Sequence, residues 1–228
     1  GGRRGKIVNH ISPTEELIRS YFSQTREMFG DNLFISIPES SPDRNSSLSL
    51  AEFEESISDC RKCDLWKERT NFVFGVGNPQ AKLVLVGEAP GKEEDLQGKP
   101  FVGRAGQLLD KILAAINLNR DKVYICNILK SRPPENRTPH QDEIDACLPY
   151  LETQLKIINP KLIVALGATA AQTLLGVKTP LGKLRSQIWK WNDFNLVATY
   201  HPAALLRNSN WKRPTWEDFQ WIQKLLEE

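Results

Sequence analysis

From residue 82 onward, apolar residues gather into short continuous runs, separated by stretches with helical spacing. KLVLVG at 82 to 87, VYICNIL at 123 to 129, KLIVALG at 161 to 167 and NLVATYH at 195 to 201 are rich in branched apolar side chains and show little polar alternation. Strands of this kind are buried on both faces, which predicts a parallel sheet covered by helices on each side. Helical patterns fall between the runs, at 104 to 117, about 140 to 157 and 168 to 175. The fold class read from this is α/β: a three-layer α/β/α sandwich around a central four-stranded parallel sheet. A last helix is predicted from near Pro214, with Trp216, Phe219, Trp221 and Leu225 as its packed stripe.

The first fifty residues read differently. Ser12 with Glu15 three positions on, and Pro13 between them, form a capping-box pattern that predicts a helix over 12 to 29. From Gly30 to about Ser49 the chain turns to Pro, Ser, Asp and Asn, a linker composition. Helical periodicity resumes at 48 to 59 and leads into Cys60-Arg61-Lys62-Cys63. The expected division is a helical extension over 1 to 30, a flexible linker over 31 to 50 and the α/β domain over 51 to 228.

Length and composition add bounds. A chain of 228 residues has room for one sizeable α/β domain with extensions, and 40% apolar with 25% charged residues is ordinary for a globular protein. The formal net charge of +2 leaves a nucleic-acid partner open only if basic residues cluster locally. No apolar run approaches the roughly 20 residues that span a bilayer, so no membrane partner and a cytoplasmic location, nucleoid-associated in a bacterium, are expected. Four cysteines in a reducing compartment point to metal or core roles rather than disulfides.

Candidate chemistry concentrates at the strand ends. The stretch VGEAPGKEEDLQGKPFVGRAGQLLD, 86 to 110, leaves the first strand and crowds glycines, three acids and a Phe into one loop before a helix. In open α/β sheets ligands bind above the carboxyl ends of the strands. There Glu88, Asn127, Gly167 and His201 converge from four strands. A carboxylate, a carboxamide and an imidazole beside a Gly-rich loop make a candidate site. A nucleotide-phosphate site on the Gly87 to Gly91 loop is disfavoured, because the acids at 93 to 95 repel phosphate.

The motifs GEAPGKEEDLQGKPFVGRAG (87 to 106) and HPAALLRN (201 to 208), with a CxxC before them and a Cys between, resemble the iron–sulfur-containing family 4 of uracil-DNA glycosylases. The likeness runs from about Cys60 to the C-terminus. It implies a monomeric hydrolase that flips uracil out of single- or double-stranded DNA, cuts the bond between uracil N1 and the deoxyribose, and leaves an abasic site for base excision repair. Phe101 matches the family's stacking aromatic. Asn127 suits the uracil edge, donating to O4 and accepting from N3–H, where cytosine offers the opposite pattern. His201 is the candidate donor to O2 of the leaving base. Ala89 stands where related glycosylases place an acidic base, so Glu88 is the first candidate to position water, with Ala89, Pro90 and Gly91 shaping the pocket. Glu94 either crowds the C5 edge, where a thymine methyl would sit, or is a solvated loop acid. A sibling group crosslinks to its product through a His in an Arg-rich insertion; the short segment from Ser131 to Pro139 has none, and ordinary turnover is expected.

For DNA contact, Leu206 or Arg207 would fill the space left by the flipped base, although Leu205 and Leu206 could instead be a buried pair. Arg104, Lys130 and Arg132, with Lys99, Arg137, Lys212 and Arg213, offer a phosphate footprint. The rival reading is a non-catalytic module that binds uracil or other damage in DNA and attaches to replication proteins.

The family holds a 4Fe–4S cluster on four cysteines, and Cys60, Cys63 and Cys147 match three of them. The remaining position is Ser131, in Lys130-Ser131-Arg132-Pro133-Pro134. Cys126 lies next to Asn127 in a strand, so it faces away from the pocket and into packing. The outcomes left open are a four-iron cluster with Ser131 or another oxygen as its fourth ligand, a three-iron cluster on three thiolates, a structural zinc, or no cluster. Any cluster is expected to be structural.

Overall fold

The structure, a computed structural model, describes residues 48–227. The predicted helix over 12 to 29 and the linker up to residue 47 lie outside the described residues. Helix α1 (Leu50–Ile57) opens on a capping box in which Ser49 and Glu52 satisfy each other's backbone amides, at 2.8 and 3.2 Å. It buries Phe53 and Ile57 against Phe74, with Tyr150 alongside; the Phe53 and Phe74 rings meet edge to face at 5.8 Å.

The remaining order is β1 (Val76–Gly77), β2 (Leu83–Gly87), α2 (Lys92–Gln97), α3 (Arg104–Ala115), β3 (Tyr124–Asn127), α4 (Gln141–Ile158) and β4 (Leu162–Leu166). There follow α5 (Ala168–Leu175), α6 (Leu181–Leu184), β5 (Trp189–Trp191), β6 (Phe194–Thr199), α7 (Pro202–Arg207) and α8 (Lys212–Glu227). The strands form one sheet in the order β1-β3-β2-β4-β6-β5. The predicted four-stranded parallel sheet is present as its centre, β3-β2-β4-β6. Two antiparallel edge strands, β1 and β5, extend it to six. They are two and three residues long, too short to leave a periodicity in the sequence.

Alternate residues of the central strands feed two separate cores. Val84, Val86, Cys126, Ile163, Ala165, Leu196 and Ala198 share one with Leu151 and Leu155 of α4 and Ala170, Ala171 and Leu174 of α5. Leu83, Leu85, Ile125, Val164 and Val197 share the other with Leu109 and Leu113 of α3 and Phe219 and Ile222 of α8. Period-two alternation with both faces covered is why the runs read as uniformly apolar. The α8 stripe differs from the expected one. Thr215, Asp218, Phe219 and Ile222 are buried, Trp221 and Leu225 only border that core, and Trp216 is exposed. Spacings of three and four from Thr215 pass through 218, 219 and 222, and Trp216 falls a further 100° round the helix.

Lys130 is a second correction. It has no exposed surface and so cannot reach DNA phosphate. Its ammonium donates to the carbonyls of Asn127 (2.8 Å) and Phe74 (3.2 Å) and to Gln154 Oε1. Gln154 Nε2 donates to the same Phe74 carbonyl at 3.0 Å. Burial holds the Lys130 pKa below the ordinary lysine value, and the three acceptors compensate part of the desolvation. Among the described residues no helix is long and apolar enough to cross a membrane.

Replacing Lys130 by Met keeps the volume and withdraws the ammonium from three buried acceptors, of which only the Phe74 carbonyl keeps another donor, Gln154 Nε2. Relief of the buried charge offsets part of that cost, and a net loss of about 1–3 kcal/mol is expected. Urea unfolding should show a lower midpoint at unchanged m-value; an unchanged midpoint would exclude the strut.

Candidate active site

The chain enters the parallel sheet at β2, passes to β3 on one side, and crosses back to β4 on the other. Neighbouring loops leave in opposite directions at that point, and a crevice opens above the carboxyl ends. A cleft of about 740 Å³ lies there, lined by Glu88, Ala89, Pro90, Gly91, Glu94, Phe101, Asn127, Gly167 and His201. The predicted catalytic and base-binding residues thus meet in one place. Sequence reading missed Tyr200 and Trp211 on the wall of the cleft.

Asn127 ends β3 in register with Gly87 of β2. It is nearly fully buried, yet it lines the cleft. Its backbone carbonyl is taken by Lys130, and no hydrogen bond between described residues engages its carboxamide, whose polar atoms open onto the cleft rather than being sealed without a partner. Both the donor and the acceptor are left for a ligand. A Cβ at Gly87 would overlap Asn127 Oδ1 and come within 2.9 Å of the Phe101 ring, so this close assembly requires glycine at 87.

Phe101 adopts φ 54°, a left-handed conformation that is costly for a bulky residue. Its surroundings account for the conformation. Arg120 donates to the Phe101 carbonyl and, at 3.1 Å, to that of Pro100, and is itself held by Asp110 at 2.7 Å. Gly106, in the first turn of α3, lies so close to the Phe101 carbonyl that any Cβ there would overlap it. The GRAG run therefore serves packing of the aromatic, a role visible only once the helix is placed beside the loop. The Phe101 and His201 rings stand 5.3 Å apart, tilted by 30°.

His201 caps α7, and its Nδ1 accepts from the backbone N–H of Ala203 at 3.1 Å. Accepting at Nδ1 fixes the neutral tautomer with its proton on Nε2, the atom available as a donor. Burial, with the Arg207 guanidinium second, pushes its pKa down to about 4.

Glu88 is half-buried at the end of β2, where its backbone carbonyl accepts from Leu129 N at 3.1 Å and its side chain faces the cleft. Glu94 is half-buried rather than a freely solvated loop acid: it accepts from Gly103 N at 3.3 Å and lines the cleft. Asp95 is buried and accepts from the amides of Thr70 (2.9 and 3.2 Å) and Asn71 (3.4 Å), tying the loop to the segment after the CxxC. Of the DNA candidates, Leu206 and Arg207 are exposed while Leu205 is buried, so the leucine pair is split. Arg104 is exposed at the start of α3. Arg132 is half-buried and donates to Asn136 Oδ1 at 2.8 Å, and Arg137 forms a bidentate pair with Glu143 at 2.6 and 2.9 Å.

Cys60, Cys63, Cys147 and Ser131 line a second, small cavity on the side of α4. Lys130 N donates to Cys147 Sγ at 3.3 Å, Tyr150 Oη donates to Cys60 Sγ at 3.3 Å, and Arg69 reaches Ser131 Oγ at 3.4 Å. Among the described residues no three His, Cys, Asp or Glu side chains stand close enough to hold one metal ion. Three thiols and one hydroxyl thus border one small cavity, with N–H and O–H groups turned toward two of the sulfurs. Cys126 is buried in the α4-side core, as its strand position implied.

A doubly wound sheet with a buried carboxamide, a neutral imidazole and an aromatic ring above its switch point defines a pocket for a planar polar base. The description Uracil DNA glycosylase superfamily matches residues 74–222. A type-4 uracil-DNA glycosylase of Sulfurisphaera tokodaii is 45% identical over 186 residues, covering 78% of this chain and 84% of that protein. One of Archaeoglobus fulgidus is 44% identical over 185 residues (78% and 93%), and one of Thermotoga maritima 47% over 156 residues (68% and 81%). The chain belongs to the type-4 uracil-DNA glycosylase family.

The His201 titration gives a direct check. A folded-state pKa below the unfolded value of 6.5 makes the unfolded chain bind this proton first as pH falls. The neutral-imidazole contribution to stability is therefore present above about pH 6.5 and lost as pH falls toward 4. NMR titration should place the His201 midpoint near 4, with no acid limb near 6.5 in kcat/KM from this group; a midpoint near 6.5 would refute the buried neutral donor.

Proposed function

We propose that this protein is a uracil-DNA glycosylase that draws uracil out of DNA and hydrolyses its N-glycosidic bond, initiating base excision repair. The observation that carries the reading is the pairing, in one cleft, of an Asn127 carboxamide that no described residue engages with a neutral His201 whose remaining ring nitrogen is a donor.

Phe101 lies along the face of the flipped base and limits its tilt. The Asn127 amide donates to O4 and its carbonyl accepts from N3–H, and the cytosine edge would set donor against donor and acceptor against acceptor. As the C1′–N1 bond breaks, the electron pair passes to the uracil ring and negative charge grows on O2. His201 Nε2–H stabilises that charge, and a neutral donor keeps its proton through the reaction. Water, oriented by Glu88, adds to C1′ of the oxocarbenium-like sugar; the proton it loses as the new C–O bond forms passes to solvent, from which the released uracil anion takes up a proton. Glu94, held by Gly103, crowds the C5 edge against a thymine methyl. Leu206 and Arg207 occupy the gap left in the stack, and Arg104 and Arg132 contact phosphates. Single- and double-stranded DNA are both substrates.

A 4Fe–4S cluster would be held at the second cavity by Cys60, Cys63, Cys147 and the Ser131 oxygen. Such a group, when bound, would supply a structural cross-link between the CxxC, the 130–131 turn and α4. Nothing in the hydrolysis calls for electron transfer.

Two measurements test these readings. Release of free uracil from a single-stranded oligonucleotide should be catalytic, falling at least 100-fold in Asn127→Ala and in His201→Ala and far less in Glu94→Ala; wild-type binding without uracil release would establish a non-catalytic module. Protein purified without oxygen should be brown, with iron on elemental analysis distinguishing four-iron from three-iron content. Cys147→Ala should lose that absorption, while Ser131→Cys should keep it and resist bleaching in air. A colourless, iron-free wild type would remove the cluster.

A further inference from the structure

We propose that Trp211 is a stacking platform for the base next to the extruded uracil on single-stranded DNA, an inference that rests on the base-cleft reading above. Trp211 ends the short turn Ser209–Trp211 after α7 and lines the cleft, with 36% of its surface exposed. Its ring lies flat on Tyr200, with centroids 4.9 Å apart and planes within 3°. The Arg185 guanidinium sits 4.7 Å from the Tyr200 centroid. Arg185 is in turn fixed by two bonds to Asp218, of 2.8 and 2.9 Å, and one to the Pro214 carbonyl at 2.8 Å. Asp218 is buried and takes a further bond from Thr199 at the end of β6. A series of planar groups anchored in the sheet thus presets the orientation of an exposed indole.

An aromatic already held in place loses little freedom when a second ring stacks on it. Continuity with the cleft identifies the occupant. Trp211 shares the cleft with Asn127 and His201, so a strand that places one base inside must carry an adjoining nucleotide across this wall. Arg207 lines the same wall, and the exposed Lys212 and Arg213 follow directly in the chain. Cations interleaved with an aromatic face are what sequence-tolerant single-strand sites use. In a duplex the adjoining base keeps its own stacking partner, so the platform favours single strands.

The test uses the full chain as wild type, Trp211→Ala and Trp211→Phe. The substrates are a single-stranded oligonucleotide with one uracil and two copies carrying an abasic spacer immediately 5′ or 3′ of it. Trp211→Ala should weaken Kd and raise KM on the ordinary strand about tenfold, within the range for one stacked base, and Trp211→Phe should do so less. Wild type should lose a similar factor on one of the spacer strands, and Trp211→Ala should be indifferent to that spacer. Equal responses of wild type and Trp211→Ala to both spacers would overturn the platform. If Trp211→Ala folds poorly, wild type and Trp211→Phe decide: no penalty from either spacer overturns it equally. Spacer-dependent binding by a wild type that releases no uracil would support the platform and sink the glycosylase reading instead.

Discussion

A single buried ammonium joins the parts of this protein that have to stay in register. Lys130 reaches back to the Asn127 carbonyl at the end of β3, across to Phe74 ahead of β1, and to Gln154 on α4. Its own backbone N–H points at Cys147 Sγ. One residue therefore fixes the peptide that carries the cleft-lining carboxamide and touches the thiol-lined cavity behind it. Such a network is stiff because releasing the ammonium would cost buried acceptors a donor, and only the Phe74 carbonyl has Gln154 Nε2 as a second one. Disturbance at the thiol cavity would be felt at Asn127 through one side chain rather than through a diffuse repacking.

The second constraint is close approach. Asn127 at the end of β3, His201 just past β6 and Phe101 between α2 and α3 can share a cleft because Gly87 and Gly106 remove side chains where backbones and rings meet. Phe101 is held in a left-handed conformation by Arg120 and by its contact with α3, so the aromatic wall is set before any base arrives. A wall built in advance loses no entropy on closing round a ligand, and an imidazole kept neutral by burial needs no protonation event before it can donate.

Sequence patterning made the central layers legible because four buried strands leave unmistakable apolar runs, and because strand carboxyl ends place Glu88, Asn127 and His201 together by topology alone. It missed what depends on distances between segments remote in sequence. The edge strands β1 and β5 are too short to register, and the α8 stripe turned on a 100° rotation that the aromatic residues themselves obscured. Lys130 read as a DNA contact because a lysine beside a site motif is ordinarily exposed; only the three acceptors around it reveal a strut. The functions of Gly106 and Arg120 exist only relative to the Phe101 carbonyl, which no local pattern encodes.

Charge shows the same logic in the binding surface. A net charge near zero and three consecutive acids in the principal loop would argue against DNA if each charge acted through solvent. Of the three only Glu93 is exposed: Asp95 is turned inward onto the amides of Thr70 and Asn71 and Glu94 is engaged by Gly103, while elsewhere Glu143 is neutralised by Arg137. Acids committed to internal hydrogen bonds contribute little repulsion at the rim, whereas Arg104, Arg207, Lys212 and Arg213 stay exposed. The potential a DNA strand meets is set by which charges remain uncompensated at the cleft, so a protein of almost balanced composition can still present a cationic edge to its substrate.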